Sequence, residues 1–113
     1  MSIQNWSEDI ILAELSDDPA FTDDLNALTD EMSRRQDADM VLNFSAVSYL
    51  NSSNLAKLLK LRKGVLTSGR RLKLCVISTH VWGVFLVTGL DKIFEFHDDV
   101  ATALTAMQIR TKE

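Results

Sequence analysis

The sequence predicts an α/β fold in which a largely parallel sheet is covered by helices. Three observations carry this. Short apolar runs alternate along the chain with segments whose apolar residues recur every three or four positions. The links between them are only a few residues long. Each helical segment also opens on Ser, Asn or Asp, or closes on Gly. A parallel crossover needs a helix-sized link, so strand–helix alternation points to parallel pairing.

The elements follow in order. Ile10 to Leu15 (IILAEL) is a short strand, broken by Ser16, Asp17, Asp18 and Pro19. Pro19 suits the first turn of a helix, with Asp18 as its cap. Phe21, Leu25, Leu28 and Met32, spaced four, three and four apart, form one face of that helix. Residues 34–39 are a polar connector. Met40 to Phe44 (MVLNF) is a buried strand, and a loop over 45–50 leads to a second helix. Leu55, Leu58, Leu59, Leu61, Val65 and Leu66 are its apolar positions, Lys57, Lys60 and Lys63 its wet side, and Gly69 its C′ residue. Arg71 to Ile77 (RLKLCVI) is the next strand. Ser78 or Thr79 caps a third helix that stops at Gly89. Ile93 to Phe96 (IFEF) is a short strand, and Asp98 or Asp99 caps a last helix through Val100, Ala103, Leu104 and Met107.

A chain of 113 residues with 46% hydrophobic content is expected to form one globular domain over its whole length, 1–113. No run approaches the roughly 18 to 20 apolar residues that span a bilayer, and MSIQNWSEDII lacks a signal peptide's basic flank and apolar stretch. The expectation is a cytoplasmic protein without membrane insertion. Cys75, the one cysteine, lies in an apolar run and is expected to be a buried small residue. The net charge of −4 conceals an asymmetry: residues 1–39 hold eleven acids and two bases, while the rest hold five acids and ten bases. Seven bases and no acid lie between Lys57 and Lys73. Lys57, Lys60, Lys63, Arg70 and Arg71 offer a surface for nucleic acid or anionic lipid, and the acidic first third argues against that reading.

Much chemistry is absent. The four glycines are scattered and match no nucleotide fingerprint. His80 and His97 have no Cys or His at ligand spacing, so no metal is expected, and no cofactor either. A nucleophile at Ser53 or Cys75 would need His80 as its base, and no strained glycine elbow flanks a serine. The expectation is a protein that is not an enzyme.

The most informative stretch is YLNSSNLAKLLKL, residues 49–61, where two serines between two asparagines open the second helix. Asn51, Ser52 or Ser53 can cap that helix by accepting bonds from free backbone N–H groups. The same helix end also accommodates a phosphate, because its N–H groups and positive partial charge point outward. Both readings stay open on the residues alone.

VLNFSAVSYLNSSNL, residues 41–55, resembles the STAS domain of anti-sigma factor antagonists, in which a strand and a hydrophobic turn lead to Asp-Ser-Ser-Gly-Leu at a helix start. Residues 78–96 resemble the family's third helix and following strand through Val81, Val84-Phe85, Thr88-Gly89-Leu90 and Ile93-Phe94. The resemblance runs from about Ile10 to Met107. It implies a short, mostly parallel sheet with helices packed mainly on one side. It also implies a non-enzymatic bacterial regulator of transcription that works by partner switching. The partners would be an anti-sigma factor that is also a serine kinase, and a serine phosphatase. The phosphorylated residue would be Ser53, with Ser52 the lesser candidate, and Asn51, Ser52, Ser53, Asn54 and Lys57 would meet the partner.

Asn51 stands where the family usually has Asp, keeping a capping oxygen and dropping a charge. Asn54 stands where Gly is usual. Asn tolerates left-handed backbone next best after Gly, and its side chain would face an approaching kinase. On the third helix Val81, Val84, Phe85 and Thr88 are expected inward, leaving Trp82, Gly83 and Leu86 outward. Trp82 and Leu86, one turn apart, form a candidate surface for a homodimer or a partner. The competing expectation is that the N-terminal arm folds over them through Trp6. The alternative function is a STAS subunit, never phosphorylated, that docks in a larger complex such as a lipid-transport ATPase.

Overall fold

The computed structural model describes residues 3–35 and 37–109. Five strands form one sheet in chain order, β1-β2-β3-β4-β5. They are β1 (Ile3–Ser7), β2 (Ile10–Ser16), β3 (Asp39–Ala46), β4 (Leu72–Cys75) and β5 (Glu95–His97). β1 and β2 are antiparallel, with Ile3 opposite Ala13, and every later pairing is parallel. The helices are α1 (Ala20–Arg34), α2 (Ser52–Thr67), α3 (Thr79–Thr88) and α4 (Val100–Gln108), with a 3-10 turn at Leu90–Lys92.

The strand order explains where the helices lie. The chain steps from β2 to β3 to β4 to β5 always in the same direction. Crossovers of one hand that advance one way must all pass over the same face. Helices α1, α2 and α3 accordingly share one core with alternate strand residues. Ile11, Ala13, Leu15, Met40, Leu42, Phe44, Leu72 and Leu74 meet Phe21, Leu25, Leu28, Leu58, Leu61, Val65, Val81 and Phe85. The intervening residues Ile10, Val41 and Cys75 face the other way and are covered by Ala103, Leu104 and Met107 of α4. The period-two alternation of each strand thus feeds two unequal cores. Mostly one-sided helix packing is the expected arrangement, and it is found.

Several expectations are corrected. β1 was not anticipated. β4 stops at Cys75 because Val76 turns into left-handed backbone (φ 59°), where its N–H donates to the His97 carbonyl at 3.3 Å. The strand expected at Ile93 lies two residues later, because the 3-10 turn seats Phe94 in the core first. Pro19 occupies the N-cap of α1 without a side-chain bond. The Asp18 Oδ1 instead accepts from the Thr22 amide at 2.9 Å and its hydroxyl at 2.7 Å. Leu66 is exposed rather than buried. Thr88 is exposed as well, its hydroxyl donating to the Val84 and Phe85 carbonyls of its own helix. Gly69 has the left-handed φ (+77°) expected at C′, with its own N–H on the Leu66 carbonyl and the Arg70 N–H on the Val65 carbonyl.

Candidate functional site

The first turn of α2 is built from its own sequence. Asn51 is the N-cap, and its side chain accepts the Asn54 N–H at 2.8 Å. Asn54 answers by accepting the Asn51 N–H at 3.1 Å, which completes a capping box made of two asparagines. The Asn54 Nδ2 then donates to the Asp18 Oδ2 at 2.9 Å. Asn54 is therefore not in left-handed backbone and does not face a visitor. It is the third helical residue, only 1% exposed, and serves as a bracket between α2 and the start of α1.

A second bracket lies alongside. The Asp17 carboxylate accepts the Ser48 N–H at 2.8 Å and the Ser48 hydroxyl at 2.5 Å. The Ser48 hydroxyl and amide hold the Asp17 carboxyl below the usual carboxylate range. The Asn54 carboxamide first, and Thr22 next, do the same for Asp18. These two aspartates are thus ionised acceptors that bolt the β2–α1 turn to the β3–α2 loop. The bonds from Ser48 and Asn54 each reach across more than thirty residues of the chain, so no local pattern announces them.

Ser52 and Ser53 are the first and second helical residues and are both exposed. Neither hydroxyl makes a hydrogen bond among the described residues. The cap belongs to Asn51, so the serines are free of that task. The first turn of α2 contains no acidic residue, so its partial positive charge is not cancelled from within the helix. Lys57 stands one turn beyond Ser53, on the same face. Its Nζ reaches to the Asn26 Oδ1 of α1 at 3.4 Å. The structure therefore puts Ser53 and half-buried Lys57 on one helix face, leaves Ser52 exposed beside Ser53, and takes the Asn54 side chain off the surface. Tyr49, exposed just before the cap, joins this rim. A tyrosine two residues before the cap was the signal that could have flagged it.

Trp82 and Leu86 lie on α3, a separate element. Val81 and Phe85 of that helix are buried, and Phe85 meets Phe44, Phe94 and Phe96 edge-on with centroids at 6.4, 5.8 and 5.1 Å. Trp82 is not covered by Trp6, which sits on β1 at the opposite edge of the sheet from β5. It leans on Phe96 of β5 instead, with centroids 5.0 Å apart and planes at 89°. Trp82 remains 37% exposed and Leu86 50%, and Val87 beside them is 89% exposed.

Other candidates dissolve. Burial pushes the Cys75 thiol up to about 11, and its Sγ sits 3.6 Å from the Leu42 carbonyl, inside the smaller core. Reactive thiols, by contrast, are exposed and titrate low. No hydrogen bond joins Ser53 to His80, and no group of three potential metal ligands occurs, among the described residues. The basic run is partly consumed inside the protein. Arg70 and Arg71 pair with the buried Asp39 at 3.1 and 3.2 Å, Lys73 pairs with Glu95, and Arg62 donates to the Ile93 carbonyl. Arg70 and Arg71 are thereby both directed toward Asp39.

Comparison with known proteins agrees with this architecture. The family model for the STAS domain matches residues 10–103. Among solved structures, an anti-sigma factor antagonist from Thermotoga maritima superposes with a TM-score of 0.82 at 18% identity, covering 95% of this chain and 93% of that one. The antagonist SpoIIAA in its unphosphorylated form gives a TM-score of 0.77 at 16% identity, covering 96% of this chain and 97% of its own. The phosphorylated form of the Bacillus cell fate determinant SpoIIAA gives 0.72 at 15% identity, covering 92% and 95%.

Proposed function

The chain belongs to the STAS domain family, and from that premise we propose that it is an anti-sigma factor antagonist switched by phosphate on Ser53. The observation that carries this reading is the exposed, unbonded Ser53 hydroxyl at the second position of a helix whose cap is already supplied by Asn51. Phosphate can be added there without dismantling any contact that holds the fold.

The mechanism follows from burial and charge. Unmodified, the rim of Tyr49, Asn51, Ser52, Ser53 and Lys57 presents neutral polar groups and one cation to an anti-sigma factor. Asn54 contributes by holding the rim rigid rather than by touching the partner. Phosphorylation of Ser53, with Ser52 the lesser acceptor, adds roughly −1.5 to −2 charge within that surface. The helix end and Lys57 tolerate the anion in the free protein. Buried unpaired against a partner, the same anion is costly. The partner is thus released while the antagonist stays folded. The proposed kinase is the anti-sigma factor itself, and a serine phosphatase resets the switch. SpoIIAA, the fold neighbour solved with and without phosphate, supports this reading.

The role is regulatory rather than catalytic, in the cytoplasm of a bacterium. No described helix is long and apolar enough to cross a membrane, which is compatible with that location. Trp82 and Leu86 form a second contact patch, for a second copy or the same partner. Leu86→Glu is the cleaner probe of it, since Trp82 also braces Phe96. Unchanged solution mass and partner binding in Leu86→Glu would remove the patch.

The test of the switch is a pull-down from the source organism, with intact-mass analysis of the recovered protein. The expected result is an ATP-binding serine kinase and a phosphate mass shift mapped to Ser53. Ser53→Ala is expected to hold that kinase constitutively and Ser53→Asp to lose it. Equal binding by both variants would refute the switch. Recovery of a transport ATPase with no phosphate would favour a fixed-subunit role.

A further inference from the structure

A cavity of about 240 Å³ opens beside α3, lined by Ile77, Trp82, Phe96, His97 and Asp98. It lies just past the carboxyl ends of the parallel strands β4 and β5, where open α/β sheets bind their ligands. Two of its walls are aromatic, the perpendicular Trp82 and Phe96 rings. Val76, immediately before the lining residue Ile77, is the one described non-glycine residue with positive φ. Left-handed backbone is unfavourable for a β-branched side chain, and such strain is retained where the surroundings or a function demand it.

The charges at the cavity are of one sign. Asp98 is exposed and makes no hydrogen bond or salt bridge among the described residues. The Asp99 carboxylate next to it accepts the Thr102 N–H at 2.7 Å, which holds its own titration low and keeps it ionised. His97 contributes no positive charge at neutral pH, because burial first and Lys73 second lower its pKa. Lys73 is itself occupied by Glu95. An aromatic corner edged by a free carboxylate is suited to a cation with an apolar arm: aromatic side chains attract cations, Trp most strongly, and the carboxylate supplies the counter-charge.

We propose that this cavity binds an organic cation of the guanidinium or alkylammonium class, seated against Trp82 and Phe96 and paired with Asp98. The site shares Trp82 with the α3 contact patch, but it is separate from the Ser53 rim and does not depend on the switch assigned to it. The chemistry is shared by a free small molecule and by an arginine side chain of a bound protein, and the probes below separate the two.

The experiment uses the full chain with Trp6→Phe, leaving Trp82 as its only indole. Trp82 emission is followed during titration with propylguanidinium and with Nα-acetyl-arginine amide. Propylurea and Nα-acetyl-citrulline amide are the neutral counterparts. The expected result is a saturable shift with the cations, and binding about tenfold weaker with the ureas and in Asp98→Asn, whose far-UV circular dichroism is unchanged. Binding of propylguanidinium assigns the site to a free small cation. Binding of the arginine amide alone assigns it to a protein side chain. Ureas that bind as tightly as the cations, no saturable shift with either cation, or an Asp98→Asn variant of undiminished affinity would overturn the proposal.

Discussion

Asn54→Ala is the most direct test of how the serine-bearing helix is held. The carboxamide is buried and makes two side-chain hydrogen bonds, accepting from Asn51 N at 3.1 Å and donating to Asp18 Oδ2 at 2.9 Å. Alanine removes both, while the Asn54 amide keeps its bond to the Asn51 side chain. At about 1 kcal/mol for each bond, partly offset by about 0.5 kcal/mol of better helix propensity, the expected loss is about 1.5 kcal/mol. For a domain of this size that corresponds to a fall in Tm of roughly 5–10 °C. Urea unfolding followed by circular dichroism should show a lower midpoint with an unchanged slope. Asn54→Asp sharpens the test, because it keeps the acceptor for Asn51 and sets a second carboxylate against Asp18. Two carboxylates sharing one site raise the pKa of the pair. A raised folded-state pKa makes that variant regain stability as pH falls through it, whereas the parent loses the contribution of Asp18, whose pKa is depressed below 3.8, as acid protonates it. A loss below about 0.5 kcal/mol in Asn54→Ala, within the range of ordinary surface substitutions, or an Asn54→Asp variant that weakens in acid as the parent does, would refute the bracket.

Phe85→Ala should cost about 3–5 kcal/mol, since the ring is fully buried and touches three other phenylalanines; chemical denaturation measures it. Cys75 should resist a thiol reagent in the native protein and react fully in urea, because burial both covers the thiol and raises its pKa to about 11. Stability should fall in two stages on acidification. His97, with a folded pKa below the ordinary 6.5, favours the native state when neutral, and that contribution is lost as pH drops below 6.5. Asp17, Asp18 and Asp99, each depressed below 3.8, give up theirs in stronger acid. His97→Gln should flatten the first stage alone in a pH series of thermal melts.

Local pattern revealed the elements that local forces make. The 4-3-4 spacing of Phe21, Leu25, Leu28 and Met32 exposed α1 because one stripe faces one core. Gly69 and Gly89 marked helix ends because both take positive φ there. β1 stayed hidden because Gln4, Asn5 and Ser7 carry no apolar alternation; it is a strand because the hairpin pairs it with β2. β5 was misplaced because Ile93 and Phe94 are apolar for packing, not for pairing. In the candidate site the serines and their helix were legible. Asp17, Asp18 and Asn54 were not, since their roles arise only when segments about thirty residues apart meet. The withdrawal of Arg70 and Arg71 onto Asp39 is hidden for the same reason.

The match between strand order and chain order has a kinetic consequence. Every strand pairs with the one made just before it, so each closure spans one helix-sized loop at most and the contact order stays low for a sheet protein. The β1–β2 hairpin can form first, and each later strand and its helix then add to an edge that already exists. Synthesis from the N-terminus presents the pieces in that same sequence, so a chain leaving the ribosome never has to wait for a distant segment to complete the layer beneath it.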